Sequence, residues 1–226
     1  MRFRNLLLIG SSHIAKESIK EIEAEWLSFH PEILAIELDQ GRMYALLHPE
    51  KSRLRLKDIR YIGVKGYIFA KIGAYIEEKL GKSVGVIPGA DMRSAILLAR
   101  KRNVPIALID QEIAMTLKRF GKVLTWREKF RFAYDLIASI FGKRVSIDLR
   151  KVPDKDMIDS LLLQVKRRYP TVYKVLIVER NQFMANRLYS LMASNPDIPI
   201  MAVVGAGHQE AIIDILKVRF NNAKLA

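Results

Sequence analysis

The sequence predicts an α/β fold, with a central, mostly parallel sheet of about five strands, flanking helices and a helical insertion. Short apolar runs of strand length alternate with longer segments whose apolar residues recur every three and four positions. The first strand, helix and second strand follow one another within about 35 residues, a length typical of a parallel pair with a right-handed crossover. We therefore expect one domain over residues 1–226, with 111–168 as a helical subdomain within it.

The predicted strands are short apolar runs, most of which end at a glycine or a carboxylate, at residues 4–10, 33–38, 83–87, 105–109 and 198–204. The predicted helices have amphipathic spacing and cover residues 16–29, 40–47, 57–80, 92–101, 112–120, 125–141 and 153–168, with one more at the end of the chain. Gly121 is expected to separate the helices over 112–120 and 125–141. Residues 172–194 fit either a strand at their start or a helix throughout.

Composition excludes several kinds of site. The chain has no cysteine, so a disulfide framework, a thiolate nucleophile and thiolate-bound metal are ruled out. Any metal must be held by histidine and carboxylate side chains. The apolar run near the N-terminus is too short for a signal peptide, and no apolar stretch reaches the roughly 18 residues of a membrane span. We expect a soluble, cytoplasmic protein.

The net charge of +14 is concentrated in two segments. Residues 51–60 carry five basic side chains and one acidic, and residues 113–151 carry ten and three, so together they contribute +11. The second segment is a candidate surface for an anionic membrane or an acidic partner. Nucleic acid is disfavoured, because Trp126 and Phe130 fall on one helical face with further apolar residues, a spacing typical of a core or interface stripe.

Two of the four histidines occupy the same sequence frame. His13 and His208 each follow an apolar strand and stand at the end of a G-x-x-H motif. In an open parallel sheet, ligands bind beyond the carboxyl ends of the strands. Both histidines are therefore candidate functional residues, with a hydrogen-bonded turn histidine as the structural alternative for each.

Carboxylates also follow predicted strands. Glu37 ends the second strand and is expected to pair with a base such as Arg42 or to bind a ligand or metal, whereas Asp39 is the better candidate for the cap of the next helix. Glu179 and Arg180 resemble a second copy of this strand-end arrangement. The other strand-end aspartates, Asp91 and Asp110, are assigned to helix capping.

The candidate site combines side chains from both ends of the chain, namely His13, Glu37, Arg42, Glu179, Arg180 and His208. A divalent metal held by His13, Glu37 and His208 could activate water. Without a metal, a histidine could act as general base, a carboxylate could orient it, and an arginine could stabilise an oxyanion. The residues leave both mechanisms open.

Six blocks of the chain resemble the TraB/PrgY family, which is related to the Tiki and GumN proteins and more distantly to erythromycin esterase and ChaN-like proteins. They are GSSH at 10–13, ELDQGR at 37–42, PGADM at 88–92, ALID at 107–110 with Thr116 and Arg119 following, ERNQFMANRL at 179–188 and VVGAGH at 203–208. The resemblance implies an erythromycin esterase/ChaN-like α/β fold with the histidines and glutamates at one end of the sheet.

The same resemblance implies a function. Tiki proteins are regarded as metal-dependent proteases, and their G-x-x-H histidines correspond to His13 and His208; PrgY proteins are linked to the shutdown of peptide pheromones. We expect a metal-dependent, peptidase-like hydrolase that acts on a peptide or small-molecule substrate. The cofactor would be manganese, cobalt or zinc, with no organic cofactor. The alternative is a non-catalytic module that binds a peptide or other ligand, and the oligomeric state stays open.

Overall fold

A computed structural model of the chain describes residues 1–11, 16–48, 60, 63, 64, 67, 71, 89–141 and 155–225. Within these ranges the strands are β1 (Arg2–Phe3), β2 (Leu6–Ser11), β3 (Ile33–Ile36), β4 (Ile106–Leu108) and β5 (Ile200–Gly205). The helices are α1 (Lys16–Phe29), α2 (Gln40–Leu47), α3 (Ala90–Lys101), α4 (Ile113–Val123), α5 (Trp126–Phe141), α6 (Lys155–Arg168), α7 (Pro170–Tyr173), α8 (Glu179–Ser194) and α9 (Ala206–Leu225). The predicted strand over 83–87, most of the predicted helix over 57–80, and His13 lie outside the described residues.

The sheet confirms the α/β prediction and has the strand order β1-β2-β5-β3-β4. β5, the last strand in the sequence, lies between β2 and β3 and is parallel to both. β4 is parallel to β3, while β1 pairs antiparallel with β2 at the other side. The carboxyl ends of β2, β3, β4 and β5 therefore meet at one edge of the sheet.

Both faces of the sheet are covered by helices, which explains the continuous apolar runs of its central strands. Successive residues of a strand point to opposite faces. On one face, Leu6 and Leu8 pack with apolar residues of α8 and α9 such as Leu188 and Leu216. On the other, Leu7 and Ile9 pack with apolar residues of α1 and α3, including Ile22, Trp26, Ile96 and Ala99.

The ambiguous segment over 172–194 is helical throughout, so its interpretation as a strand is wrong. α7 continues through a wide, π-helical turn (Lys174–Val178) into α8. Met184, Leu188 and Met192 recur every four residues and are almost completely buried against the sheet. A four-residue spacing places all three side chains on one face of a helix, and the strand-like start of the segment is itself helical.

The predicted break at Gly121 is also wrong, because α4 continues through that glycine to Val123. The break comes at Leu124 and Thr125, where a reciprocal capping pair begins α5. The Thr125 amide donates to the Glu128 carboxylate at 3.2 Å, and the Glu128 amide donates to the Thr125 hydroxyl at 3.3 Å. Such a pair satisfies two amide groups that the first turn of a helix cannot bond internally.

Candidate functional site

Arg180 lies at the centre of a buried polar cluster beyond the strand ends. Its guanidinium Nη2 donates to Glu37 Oε1 and, at 2.5 Å, to Asp110 Oδ2. Nε also donates to Asp110 Oδ2, at 3.1 Å, and Nη1 lies 3.2 Å from His208 Nε2. The side chain is 14% exposed. Arg180 stands in the first turn of α8, directly after the π-helical turn, and thus links α8 to three other chain segments.

Glu37 follows β3 and is held from two sides. Its Oε2 accepts a 2.6 Å hydrogen bond from the backbone amide of Gly205 at the end of β5, and its Oε1 accepts from Arg180. The base that pairs with Glu37 is therefore Arg180, not Arg42 as the sequence suggested. Glu37 Oε1 also lies 3.5 Å from His208 Nε2.

His208 lies in the first turn of α9, which starts directly after β5. Its Nδ1 is 2.5 Å from Asn181 Oδ1, and the ring is buried. Because a guanidinium can only donate, Nε2 acts as the acceptor for Arg180, and Nδ1 carries the proton given to the Asn181 carbonyl. Asn181 and Arg180, adjacent on α8, together fix the orientation and tautomer of the imidazole.

Arg42 lies in a second part of the same cluster. Asp39 caps α2 as predicted, accepting at 2.9 Å from the Arg42 amide, and it also accepts at 2.7 Å from Arg42 Nε. Arg42 Nη2 then donates to Asp110 Oδ2 at 2.6 Å. Asp110 is thus shared by Arg42 and Arg180, and three carboxylates surround two guanidiniums.

Burial and the two guanidiniums affect Asp110 in opposite directions. Burial raises the pKa of this carboxyl, but hydrogen bonds and Coulombic attraction from Arg180 and Arg42 outweigh it and leave the pKa below the usual 3.8. For Arg180, burial lowers the pKa, whereas Glu37 and Asp110 raise it above its usual range. Asp110 and Arg180 are therefore both charged at neutral pH.

Glu179 belongs to a different ion pair. Its carboxylate accepts from Arg119 of α4, with a distance of 3.2 Å to Nη2, and both side chains are partly exposed. Although Glu179 precedes Arg180 in the sequence, its hydrogen bonds do not reach Glu37 or His208. The structure therefore brings Glu37, Arg42, Arg180 and His208 into one cluster and places Glu179 beside it.

Asp91 has a different role from the predicted helix cap. Gly89, with a left-handed φ of 77°, precedes the first turn of α3, and Asp91 lies inside that turn. Its buried carboxylate accepts a hydrogen bond from the hydroxyl of Ser11, at the carboxyl end of β2. This contact fixes the end of β2 two residues before His13.

A cleft with a volume of about 410 Å³ adjoins the cluster on the side of Asn181. Its lining combines residues of α6, α7, the π-helical turn, α9 and the end of β2, among them Gly10, Asp159, Leu162, Tyr173, Ile177, Gly207 and Glu210. This volume falls in the range of small-ligand sites, roughly 300–1,000 Å³. The cleft therefore offers room for a ligand beside Asn181, the residue that contacts the imidazole of His208.

The chemistry of Glu37 and His208 is compatible with a divalent metal. Ligands bonded to one tetrahedral ion at about 2.1 Å are roughly 3.4 Å apart, close to the 3.5 Å between Glu37 Oε1 and His208 Nε2. Because Nδ1 is bonded to Asn181, Nε2 is the nitrogen that would face an ion, and in this structure its partner is Arg180 Nη1 at 3.2 Å. Among the described residues, however, no group of three or more histidine and carboxylate side chains could hold an ion. The third ligand expected from the sequence, His13, is outside those residues.

Comparison with known proteins assigns the family. A model described as the TraB/PrgY/gumN family matches residues 3–218. An uncharacterized protein of Methanocaldococcus jannaschii is 36% identical over 218 residues, which cover 94% of this chain and 53% of that protein. The chain belongs to the TraB/PrgY/gumN family.

More distant relatives include the TraB domain-containing proteins of Homo sapiens and Mus musculus, each 24% identical over 237 residues that cover 91% of this chain and 61% of the relative. The chain thus spans about half to three-fifths of the length of these relatives. In the part of the chain that the structure describes, no helix has both the length and the apolarity needed to cross a bilayer.

Three members of the cluster, Asp39, Asp110 and Asn181, are absent from the predicted site, although the sequence does predict the helix cap that Asp39 makes. Asp110 follows β4 as Glu37 follows β3, so its position at a strand end also makes it a candidate site residue. The sequence nevertheless favours a helix cap for Asp110. In the structure, α4 receives no side-chain cap from Asp110. Asn181 has a weaker sequence signal. Its contact with His208 depends on residues 179–194 forming a helix, which the sequence leaves open.

Removing Arg180 is expected to destabilise the protein far more than removing an exposed arginine. Arg180→Met leaves Glu37 and Asp110 buried without this cation, and the free energy of unfolding should fall by about 3–5 kcal/mol. Arg119→Met breaks the partly exposed pair with Glu179 and should cost about 0–1 kcal/mol. Urea denaturation followed by circular dichroism measures both; equal losses would contradict a central role for Arg180.

The lowered pKa of Asp110 predicts acid sensitivity. Because the folded-state pKa lies below 3.8, ionised Asp110 stabilises the fold above roughly pH 4, and this contribution disappears as pH falls through the folded-state pKa. The stability difference between the unmodified protein and Asp110→Asn should therefore shrink between neutral pH and about pH 3. The exposed Asp197→Asn variant is the control, and a difference for Asp110→Asn that does not change with pH would contradict the prediction.

Proposed function

We propose that this protein is a divalent-metal-dependent hydrolase that acts on peptide bonds, with His13, Glu37 and His208 as metal ligands. One observation carries the proposal: buried Glu37 Oε1 and His208 Nε2 converge to 3.5 Å while Asn181 occupies the other imidazole nitrogen. Manganese, cobalt or zinc suits such nitrogen and oxygen ligands. When bound, the ion would lower the pKa of a water molecule and supply a nucleophile at neutral pH.

The other residues of the cluster position these ligands. Asn181 orients the imidazole of His208, and the Gly205 amide holds the second oxygen of Glu37. Arg42 and Arg180 hold Asp110. The cluster of Glu37, Asp39 and Asp110 has one carboxylate more than the two guanidiniums, and this excess favours an additional cation.

Arg180 has a second role in this proposal. Its guanidinium faces the same two atoms, Glu37 Oε1 and His208 Nε2, that a divalent ion would use. The ion and the guanidinium therefore compete for these two atoms. Asp110 also binds Arg180 and is not one of the proposed metal ligands. A guanidinium released from Glu37 would be available to stabilise negative charge that develops on a peptide carbonyl.

The cleft beside Asn181 is the proposed substrate site. Its apolar residues Leu162, Tyr173 and Ile177 offer surface for side chains, and Asp159 and Glu210 add polar groups. The choice of a peptide as substrate rests on the resemblance to Tiki proteins. Glu179 lies outside the proposed ligand set, because its partner is Arg119.

A non-catalytic ligand-binding module is the second candidate function. It is favoured by the contacts of Arg180 itself, since both prospective metal-binding atoms already have this guanidinium as a partner. In this case the cleft would retain a peptide without cleaving it. Affinity for the peptide would then survive both chelation of metal and substitution of His208.

Metal content and peptide cleavage test the proposal. We expect protein purified without chelators, then supplied with manganese, cobalt or zinc, to hold about one ion per chain by elemental analysis. His13→Ala, Glu37→Gln and His208→Ala should lose the ion and the hydrolysis of a peptide library. His30→Asn is the control, because His30 has a left-handed φ of 50° that asparagine tolerates.

The outcomes separate the two candidates. Loss of the ion and of cleavage in the three variants, with both retained in His30→Asn, supports the hydrolase. Peptide binding that persists in chelator, together with no cleavage by metal-supplied protein, contradicts the hydrolase and supports the binding module.

A further inference from the structure

Helix α5 presents an aromatic stripe to solvent. Trp126, Phe130 and Tyr134 recur every four residues and are 71%, 72% and 70% exposed. We call these three side chains the aromatic face. Their spacing places them in one row about 12 Å long on the helix. The sequence predicted a core or interface stripe for this helix, and the structure shows that these three rings are not in the core.

The exposure of the aromatic face is fixed by polar contacts on the opposite side of α5. Glu128, which is only 3% exposed, accepts at 2.7 Å from the Thr171 amide at α7. About two turns further along, Asp135 accepts from Arg168 at 2.6 Å and from the Tyr169 hydroxyl. These contacts hold the polar side inward, so turning the rings into the core would break them.

The surroundings of the aromatic face are basic. Residues 113–135 contain six lysines and arginines and two acidic residues, Glu128 and Asp135. Both acidic side chains make their contacts on the side of α5 opposite the rings, and one of the six cations, Arg119, is paired with Glu179. The Lys129 ammonium lies 4.2 Å from the centre of the Trp126 ring, and Arg127 is exposed next to it.

We propose that the aromatic face binds the surface of an anionic phospholipid bilayer. Trp, Phe and Tyr rings would lie at the boundary between headgroups and acyl chains, and Arg127 and Lys129 would contact lipid phosphates. A second copy of the chain is disfavoured as the occupant, because it would bring two equally basic faces together. A single row of rings on one helix suits a flat bilayer, which needs no matching groove. This inference is independent of the proposed hydrolase.

Vesicle binding by the full chain tests this inference. Vesicles of phosphatidylcholine alone are compared with vesicles that also contain phosphatidylserine, at low and high salt. We expect at least about tenfold tighter binding to the anionic vesicles, weakened by salt. Tryptophan emission should shift to the blue, and the shift reports Trp126, because the other tryptophan, Trp26, is already 97% buried.

Matched variants assign the binding to the aromatic face. Phe130→Ser combined with Tyr134→Ser should weaken anionic-vesicle binding by about tenfold and abolish the blue shift. Val218→Ser is the control, since Val218 is an exposed apolar residue on another helix. Circular dichroism confirms that both variants are folded, and the peptide and metal assays are run in parallel to keep the two proposals separate.

Four results would overturn the inference. Three of them are no preference for anionic over neutral vesicles, equal binding by the double variant and the control, and binding of single-stranded RNA or an acidic protein through the aromatic face in place of vesicles. Concentration-dependent dimerisation that the double variant abolishes, without vesicle binding, would likewise assign the face to a second copy.

Discussion

The buried guanidinium of Arg180 is the interaction on which the candidate site depends. It bonds Glu37 after β3 and Asp110 after β4, and it faces His208 after β5. Removing charged groups from water is costly unless each is paired and hydrogen-bonded. Arg180 meets that requirement for both carboxylates at once, and the ends of three neighbouring strands are thereby held against the start of α8.

In the function that we propose, a divalent ion and the Arg180 guanidinium compete for Glu37 Oε1 and His208 Nε2. With the guanidinium in place, Glu37 and His208 are partners of an arginine, as in a structural or ligand-binding cluster. With a divalent ion in its place, the same oxygen and nitrogen would become ligands of a hydrolytic centre. The contact with Asn181 orients the imidazole of His208 in either state, and the proposed activity would depend on which cation is bound.

The sequence predicted those helices whose ends are set by residues close to them in the chain. α1 and α2 have the predicted bounds, because apolar spacing, Pro31 and the Asp39 cap define them within a few residues. The position of the candidate site followed from the strand ends. The role of Asp110 did not, because its partners Arg42 and Arg180 are 68 and 70 residues away in the sequence.

The orientation of the aromatic face of α5 also depends on residues that are distant in the sequence. Its amphipathic pattern is visible in the sequence, and for most helices the apolar side is the inward one. Here the inward side is selected by contacts between Glu128 and Thr171 and between Asp135 and Arg168, which join separate helices. Nothing in residues 125–141 alone reveals those partners, so the direction of the stripe required the tertiary structure.

The most direct test of the account is a crystal structure of the protein soaked in manganese, with anomalous scattering used to locate the ion. The account predicts an anomalous peak about 2.0–2.3 Å from Glu37 Oε1 and His208 Nε2, with the Arg180 guanidinium withdrawn from both atoms and still bonded to Asp110. A guanidinium that remains against both atoms at saturating manganese, with no peak between them, would contradict it.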